Sequence, residues 1–300
     1  MRVSLEGVLP ERPPYPDPLP PLAGGEGAKD AARLVFDPPR IMGILNLTPD
    51  SFSDGGACPN ADAAIAAGLA MRAAGADIVD VGGESTRPGA APVPPDEEQA
   101  RVLPVITALA RAGVVVSADT RNAATMAAAL DAGAAIINDV SALAHDPASA
   151  PLLARHTCLV VLMHMRGDPA TMAAHADYHD VVAEVAAELG ERVAAAERAG
   201  IARSRLVLDP GFGFAKRPEH SVALLRGLHR LRALGLPILV GISRKGFIGA
   251  LAGEPVPARR DAASLAAALF ALAQGAAVLR VHDVAGTAQA VKIWRALTDG

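Results

Sequence analysis

Aromatic residues, cysteines and excess charge are all scarce in this 300-residue chain. Aromatics make up only 3% of the sequence, so alanine, valine, leucine and isoleucine must supply most of the buried surface. The two cysteines, Cys58 and Cys158, show neither metal-ligand spacing nor a disulfide framework, which favours a reducing, cytoplasmic location. A net charge of −4 argues against a polyanion-binding surface, and therefore against nucleic acid as a partner.

Targeting and membrane signals are also missing. The N-terminus lacks the apolar stretch of a signal peptide. The uncharged segment 262–279 is long enough to suggest a membrane span, but its alanine-rich composition and the break at Gln274-Gly275 favour a buried helix followed by a strand. The sequence contains no zinc-protease, P-loop or serine-hydrolase motif, which disfavours those enzyme classes.

Eight short apolar runs lie along the chain, and each ends in polar or charged residues. They are IMGILNL, DIVDVGG, VVVSADT, AAIINDV, CLVVLMH, LVLDP, ILVGIS and AVLRVHD. Helix-like segments alternate with them at residues 61–74, 96–112, 122–132, 147–156, 176–199, 219–234, 259–274 and 285–297. Nearly continuous apolar strands indicate a parallel sheet covered on both faces. Eight strand–helix units in about 260 residues predict a single (β/α)₈ TIM barrel.

Six glycines support this alternation, because each follows a helix-like segment and directly precedes a strand. They are Gly75, Gly113, Gly133, Gly200, Gly235 and Gly275. Glycine at this position ends a helix in the left-handed conformation without a steric penalty. A doubly wound open sheet is the alternative fold, but no dinucleotide-type glycine motif follows the first strand.

The first 33 residues have a different composition from the rest of the chain. Seven prolines fall between Pro10 and Pro21, and three glycines follow them. We expect residues 1–33 to form an extended arm or a disordered tail. Residues 34–300 then form the barrel.

Several strand ends carry side chains suited to binding a flat heterocycle. Asp119, Asn138 and Asp209 end the third, fourth and sixth strands. The C-terminal strand ends of a parallel barrel share one face, so these side chains should meet and form paired hydrogen bonds with a planar nitrogen heterocycle. Capping of the following helix is the alternative role, and for Asp139 it is an equally good one.

The last two strands end in a concentration of cations. They supply Ser243, Arg244, Lys245, Arg280 and His282. This end of the barrel commonly binds phosphate, so we expect a phosphate or pyrophosphate site. The alternative for Arg244 and Arg280 is a surface salt bridge; their joint position at strand ends favours the anion site.

Other candidate residues leave two interpretations open. Lys245 could form a Schiff base with its pKa lowered, or it could donate hydrogen bonds as a charged group. Met163 and His164 are candidates for the packed floor of a pocket. Phe212 and Phe214, in a glycine-rich loop, could form an aromatic wall or belong to the core. The Gly/Pro-rich loops 48–56 and 84–95 resemble lids that close over substrate, or are simple connectors.

Taken together, seven segments resemble the successive signatures of the dihydropteroate synthase family. They are MGILNLTPDSFSDGG, DIVDVGGESTRPGA, NDVSAL, VLMHMRG, LDPGFGFAK, GISRKGFIG and RVHDV, in order over about residues 40–297. The resemblance implies a pterin-binding TIM-barrel enzyme of folate synthesis. Such an enzyme joins 6-hydroxymethyl-7,8-dihydropterin diphosphate to p-aminobenzoate and releases pyrophosphate.

The resemblance also implies roles for individual residues. The pterin would be held by Asp119, Asn138, Asp209 and Lys245, with Met163 stacking nearby. The diphosphate would be held by Asn46, Arg280 and His282, with Asn46 as the protein ligand of Mg²⁺. The two lids and the p-aminobenzoate pocket would be formed by Phe52, Asp54, Thr86, Arg87, Pro88, Phe214 and Lys245, with Ser243 close by. Among these, Lys245, Asp119, Arg280, His282 and Asp54 would be catalytic.

The chemistry expected from these roles is a dissociative, S_N1-like displacement. Negative charge grows on the departing diphosphate, and a dihydropterin methylene can carry the positive charge, which Asp54 and Asp119 would stabilise. The sequence departs from the family pattern at Ala215, where a glycine is usual. Gly246 after Lys245 means that any contact there to the p-aminobenzoate carboxylate comes from a backbone N–H.

Three other functions are alternatives to this one. A pterin-binding methyltransferase barrel shares the pterin-binding residues, but it needs neither the Arg280 and His282 end nor the STRPG loop. A class I aldolase would depend on Lys245, and a silent pterin-binding paralogue would have lost Asn46 or the lid motifs. We expect a homodimer, with the alanine-rich helix near 262–273 as a candidate contact.

Overall fold

Eight parallel strands form the interior of the fold. The computed structural model describes residues 36–47, 61–85 and 92–298. The strands are β1 (Arg40–Asn46), β2 (Ile78–Gly82), β3 (Val115–Asp119), β4 (Ile136–Asp139), β5 (Leu159–Met163), β6 (Leu206–Asp209), β7 (Leu239–Val240) and β8 (Val278–Val281). Their order is β6-β5-β4-β3-β2-β1-β8-β7, and an isolated parallel bridge between Leu208 and Ile238 joins the two ends. The sheet is therefore a closed barrel, as predicted, and the open-sheet alternative is wrong.

Helices follow the strands around the outside. In the described part of the chain they are α1 (Ala61–Ala73), α2 (Pro95–Arg111), α3 (Ala123–Asp131), α4 (Ser149–Ala154), α5 (Val181–Arg198), α6 (Pro218–Arg226), α7 (Gly246–Ala252), α8 (Asp261–Ala273) and α9 (Val284–Thr298). The helix expected at 176–199 starts later, because Asp180 caps it by accepting from the amides of Val182 and Ala183. The helix expected at 219–234 ends at Gly227 and continues as a 3₁₀ helix, Leu228–Leu234.

The six junction glycines all adopt positive φ angles, between 66° and 109°. This confirms that each one turns the chain from a helix into the next strand. The segment 262–279 is a helix followed by a strand, as expected, although α8 is buried along one side only. None of the helices in the described ranges is long and apolar enough to cross a membrane.

Strand alternation divides the apolar core into two layers. Residues such as Val79, Ile137 and Leu208 point outward and join the helices in one large cluster. The neighbouring residues Ile78 and Ile136 point inward. With Phe36, Met42, Ala135, Leu159, Val161, Val207, Leu239, Ala277 and Val278 they fill the lower half of the barrel. Several of the inward positions above them carry polar side chains, and these contribute to the site.

Three sequence predictions lie outside the described residues. They are the arm at 1–33, the loop at 48–56 and most of the loop at 84–95. Phe52, Asp54, Thr86, Arg87 and Pro88 fall in these segments, and so does Cys58.

Candidate active site

The C-terminal rim of the barrel gathers side chains that are far apart in sequence. Seven of the predicted binding residues line one pocket: Asp119, Asn138, Met163, Asp209, Phe214, Lys245 and Arg280. Two-residue alternation explains the convergence, because each side chain occupies an inward position at its strand end or on the loop that follows. Asn46 ends β1 on the same rim, in register with Gly82, which in turn pairs with Asp119.

Arg280 connects two carboxylates at the bottom of this pocket. Its Nε donates to Asp80 Oδ2 over 2.6 Å, and its Nη2 donates to Asp119 Oδ2 over 2.7 Å. Asn138 Nδ2 donates to the same Asp80 oxygen over 3.2 Å. Sequence reasoning gave Asp80 no role, because it lies inside an apolar run. The signal was present in the alternation, which points a charged residue into the lumen two positions after Ile78.

Asp119 and Asp209 hold their protons more strongly than free carboxyls do. Burial and the nearby Asp80 charge together raise the pKa of Asp119 to about 7, against the opposing effect of Arg280. Burial also raises the pKa of Asp209, whose Oδ1 accepts the Gly211 amide at 2.7 Å. Near neutral pH Asp119 can therefore exist in either charge state, which suits a group that meets a developing cation.

Lys245 stands over the aromatic wall of the pocket. Its Nζ lies 4.2 Å from the centre of the Phe214 ring, within the range of a cation–π contact. Burial and the neighbouring Arg280 lower its pKa to about 8, while Asp209 and Asp119 oppose the shift. Most Lys245 side chains are thus charged at neutral pH. Phe212, in contrast, is fully buried and stacks on Phe247, so it belongs to the core.

The loop after β6 is held from behind by a second lysine. Lys216 Nζ donates to the carbonyls of Gly211 and Phe214, each over 3.0 Å, and lies 2.8 Å from His164 Nδ1. Burial lowers the pKa of Lys216 to about 7. Sequence reasoning gave Lys216 no role. Its contacts fix the backbone that presents Phe214 to the pocket.

His164 is a packed floor residue of the loop, as one of its expected roles required. It is buried, and burial lowers its pKa, so the neutral ring is favoured. With Nδ1 facing the Lys216 ammonium, Nε2 carries the proton towards Glu188 Oε2 at 3.0 Å. Arg166 binds Glu188 from the other side. The result is a continuous hydrogen-bonded chain beneath the pocket.

The expected pair of arginines at the anion site is wrong for Arg244. Its guanidinium forms two hydrogen bonds to Asp261, at 2.6 and 2.7 Å, on the outer helix α8. Its backbone is left-handed at φ 59°, and its amide donates to Ser264 Oγ. Arg244 is therefore a salt-bridge residue, the alternative weighed for it, and Arg280 alone of the two points into the pocket.

His282 and Ser243 lie together beside that pocket. The ring Nδ1 is 2.9 Å from Ser243 Oγ, which also accepts the His282 amide at 3.2 Å. Burial, with Arg244 and Arg280 nearby, lowers the pKa of His282 to about 4. A bound anion would raise that pKa, because an opposite charge favours the imidazolium.

Asp139 serves the fold rather than the pocket. Its two oxygens accept hydrogen bonds from the amides of Ser141 and Leu143 and from the Ser141 hydroxyl.

Glu84, at the start of the second loop, forms two hydrogen bonds with Arg121 at 2.8 and 3.0 Å. Glu84 itself is thus held by Arg121 just after β2.

Asn46 is the candidate metal ligand at the rim of the barrel. Over the described ranges, no group of three or more His, Cys, Asp or Glu residues is arranged to hold a metal ion. Asn46 offers one hard oxygen donor at the rim. Mg²⁺ commonly takes one or two protein ligands and fills its remaining positions with water and substrate phosphates, so this donor set fits an ion that arrives with a diphosphate.

A closed barrel with a pocket of paired acids, amides and cations defines an enzyme that binds a polar, planar substrate at its C-terminal rim. Residues 42–282 match the family described as pterin binding enzyme. The chain is 52% identical to a dihydropteroate synthase of Neisseria meningitidis serogroup B over 270 residues, covering 88% of this chain and 94% of the relative. The chain belongs to the pterin-binding enzyme family and, within it, to the dihydropteroate synthases.

Solved structures agree with this placement. A Xanthomonas albilineans dihydropteroate synthase with 4-aminobenzoic acid gives a TM-score of 0.84 at 50% identity, covering 89% of this chain and 96% of its own. The same enzyme in complex with 7,8-dihydropteroate gives 0.81 at 48% identity, with equal coverage. A Yersinia pestis dihydropteroate synthase with a sulfonamide drug complex gives 0.84 at 43% identity, covering 89% and 97%.

Proposed function

We propose that this chain condenses 6-hydroxymethyl-7,8-dihydropterin diphosphate with p-aminobenzoate to form 7,8-dihydropteroate and pyrophosphate. The observation that carries the proposal is the convergence of Asp119, Lys245 and Arg280 on one pocket of a dihydropteroate synthase fold. The relatives with 4-aminobenzoic acid and 7,8-dihydropteroate bound support p-aminobenzoate as a substrate and dihydropteroate as the product. The reaction is an alkyl transfer within folate synthesis.

The pterin would be recognised by the acids and the amide of the pocket. Asp119 and Asp209 can accept hydrogen bonds from ring and exocyclic nitrogens, and Asn138 can both donate and accept. Met163 closes the pocket beside them. Lys245 can donate to a ring oxygen or nitrogen while its stem and the Phe214 ring flank the second substrate. The family implies this use of Lys245 rather than a Schiff base.

Departure of the diphosphate would be assisted where its charge develops. Arg280 supplies a permanent cation, and His282 gains a proton as the anion raises its pKa. Asn46 would hold Mg²⁺, which supplies charge neutralisation on the diphosphate when bound. Above about pH 7 Asp119 is ionised and lies where it can stabilise a pterin methylene cation. Those features support a dissociative path, in which the amine of p-aminobenzoate then captures the cation.

Pyrophosphate release is the direct test. Release should require the pterin diphosphate, p-aminobenzoate and Mg²⁺ together, and Lys245→Ala or Asp119→Ala should abolish it. Matched folding of the two variants, checked by circular dichroism, is the control. Heavy-atom isotope effects at the pterin methylene test the path separately, since a tight, associative transition state would exclude the dissociative mechanism.

We also propose that the protein is a cytoplasmic homodimer. On the outer helices α8 and α9, which pack against each other, Phe270, Ile293 and Leu297 remain exposed. Exposed apolar side chains on neighbouring helices can mark a subunit contact. The buried free thiol of Cys158 suits a reducing compartment. Light scattering of Ile293→Asp against the wild type tests the dimer: a monomeric variant is expected, and a monomeric wild type would refute it.

A further inference from the structure

Asp80 lies at the floor of the pocket, one inward position deeper than the side chains that surround a ligand. It occupies the middle of β2 and has no exposed surface. In register it pairs with Ser117, two residues before Asp119 on the neighbouring strand. A carboxylate buried this deeply is costly unless it is paired and hydrogen-bonded.

One oxygen of Asp80 receives hydrogen bonds from opposite sides of the lumen. Arg280 donates to Oδ2 from β8, and Asn138 donates to the same atom from β4, at 2.6 and 3.2 Å. In the strand order, β8 and β4 each lie two strands away from β2, so both bonds reach across the barrel interior. Charge-assisted bonds of this kind fix the orientation of the donor.

The two donors have different tasks in the proposed reaction. Asn138 binds the pterin ring, whereas Arg280 binds the diphosphate. We infer that Asp80 is a positioning residue that orients both side chains through one carboxylate oxygen and so couples the pterin end of the site to the diphosphate end. The inference rests on the proposed function and deepens it.

The second oxygen of Asp80 strengthens the argument. Among the described residues, buried Asp80 Oδ1 has no hydrogen-bond partner, and the same holds for Ser117 Oγ on the next strand. Filling this level of the lumen would need only an apolar residue, as Ile78 provides two positions earlier. An incompletely bonded carboxylate lowers stability, so a role in orienting Arg280 and Asn138 accounts for its presence where packing alone does not.

Calorimetric binding to two separate probes tests the coupling. 6-Hydroxymethylpterin reports the pterin end, and inorganic pyrophosphate with Mg²⁺ reports the other end. Asp80→Asn should weaken both by on the order of tenfold, the usual cost of losing a contact that orients a ligand-binding group. Asn138→Ala should weaken the pterin alone.

Asp77→Asn is the matched control. Asp77 also pairs with an arginine, Arg40 at 3.1 Å, but at the opposite rim of the barrel. The Asp77→Asn variant should leave the affinities for both probes unchanged. If Asp80→Asn retains both affinities within about twofold, or loses only one, the inference is overturned. If the wild type binds neither probe, the proposed function fails instead.

Two further measurements guard against a purely structural effect. Asp80→Glu keeps the charge but moves the carboxylate by one methylene. This variant replaces Asp80→Asn in the binding test if Asp80→Asn does not fold. Unchanged binding of both probes to Asp80→Glu would then count against the inference. The pH dependence of pterin binding reports Asp119, which interacts electrostatically with Asp80, Glu98, Asp139, Lys245 and Arg280. Loss of the Asp80 charge should lower its midpoint from near 7, and an unmoved midpoint would contradict the proposed contact.

Discussion

The lower and upper halves of the barrel lumen are built from the same strands and differ in chemistry. In β2 and β4, Ile78 and Ile136 fill the lower half, and the next inward residues, Asp80 and Asn138, lie in the upper half. The step between them is two residues, roughly 6.6 Å of strand. On each of these two strands, one step to the next inward residue therefore leads from the apolar core to the polar site.

This difference separates stability from function along the barrel axis. The lower half gains free energy by removing apolar surface from water. The upper half holds its charged groups at a cost, which appears as the raised pKa of Asp119 and the lowered pKa of Lys245. Truncation of a side chain in the lower half should therefore reduce mainly stability, whereas a change to a pocket side chain in the upper half should alter mainly binding and catalysis.

Gly211→Ala should have the largest effect, at the backbone that supports the upper half. The new Cβ would lie 1.9 Å from the carbonyl oxygen of His164, at a φ of 68°. We expect a loss of about 4 kcal/mol in the free energy of unfolding, the scale of severe core disruption. Urea denaturation measures it.

Gly235→Ala is the control for Gly211→Ala, because it has nearly the same φ of 66° and nothing within 4 Å of the new Cβ. It should cost only about 1 kcal/mol, from the left-handed backbone alone. Equal losses in the two variants would show that backbone conformation, and not the contact with His164, sets the requirement for glycine.

Leu159→Ala should break the lower half while sparing the upper. Leu159 is 1% exposed in the lower lumen. Its truncation should lower the free energy of unfolding by about 3 kcal/mol. Because no pocket residue is touched, kcat and KM measured below the melting temperature should stay within about twofold of wild type. A large loss of kcat in the folded variant would mean that the two halves are coupled.

Lys216→Met should weaken the binding of p-aminobenzoate, with a smaller change in free energy than Gly211→Ala or Leu159→Ala causes. The carbonyls of Gly211 and Phe214 would lose their shared donor, and the Phe214 ring would lose its fixed position. We expect the KM for p-aminobenzoate to rise about tenfold, equivalent to roughly 1.4 kcal/mol. Lys292→Met, on the exposed side of α9, should leave KM unchanged. An unaltered KM for Lys216→Met would remove this lysine from the positioning of Phe214.

The stability of the fold should also depend on pH through Asp119. Folded Asp119 retains its proton up to about pH 7, whereas the unfolded carboxyl releases it near 3.8. The folded state therefore binds more protons between these values, and the contribution of Asp119 makes stability fall as the pH rises from about 4 to 7. Asp119→Asn should flatten that part of the profile in urea unfolding; an unchanged slope would place the pKa of Asp119 near its ordinary value.

The barrel could be predicted from sequence because its signals are local and repeated. Apolar strands and junction glycines recur at each unit, and each glycine reports the backbone conformation of its own junction. The short helix α7 was missed, since seven residues containing Gly246 and Gly249 carry little helical pattern. The change from α-helix to 3₁₀ helix at Gly227 was also missed, because the apolar pattern on the two sides of this glycine is similar.

The pocket residues predicted from the sequence lie at strand ends or on the loops that directly follow them. Asp80 was hidden within an apolar run, and Lys216 makes its contacts behind the loop. Arg244 was assigned wrongly because its orientation depends on a left-handed backbone and on Asp261, 17 residues further along the chain. Such pairings are set by tertiary structure and leave no local pattern.

Within the described residues, β6 and β7 are joined only by the isolated bridge between Leu208 and Ile238, whereas the other neighbouring strands pair over at least two residues. β7 has only two strand residues, and the Leu208 amide donates to the Pro237 carbonyl across the gap. Asp209 stands on one side of this bridge and Lys245 follows from the other. A ligand bound by both residues would link β6 to the segment after β7, where the barrel has the fewest hydrogen bonds between strands. Ligand binding would therefore also stabilise the folded barrel.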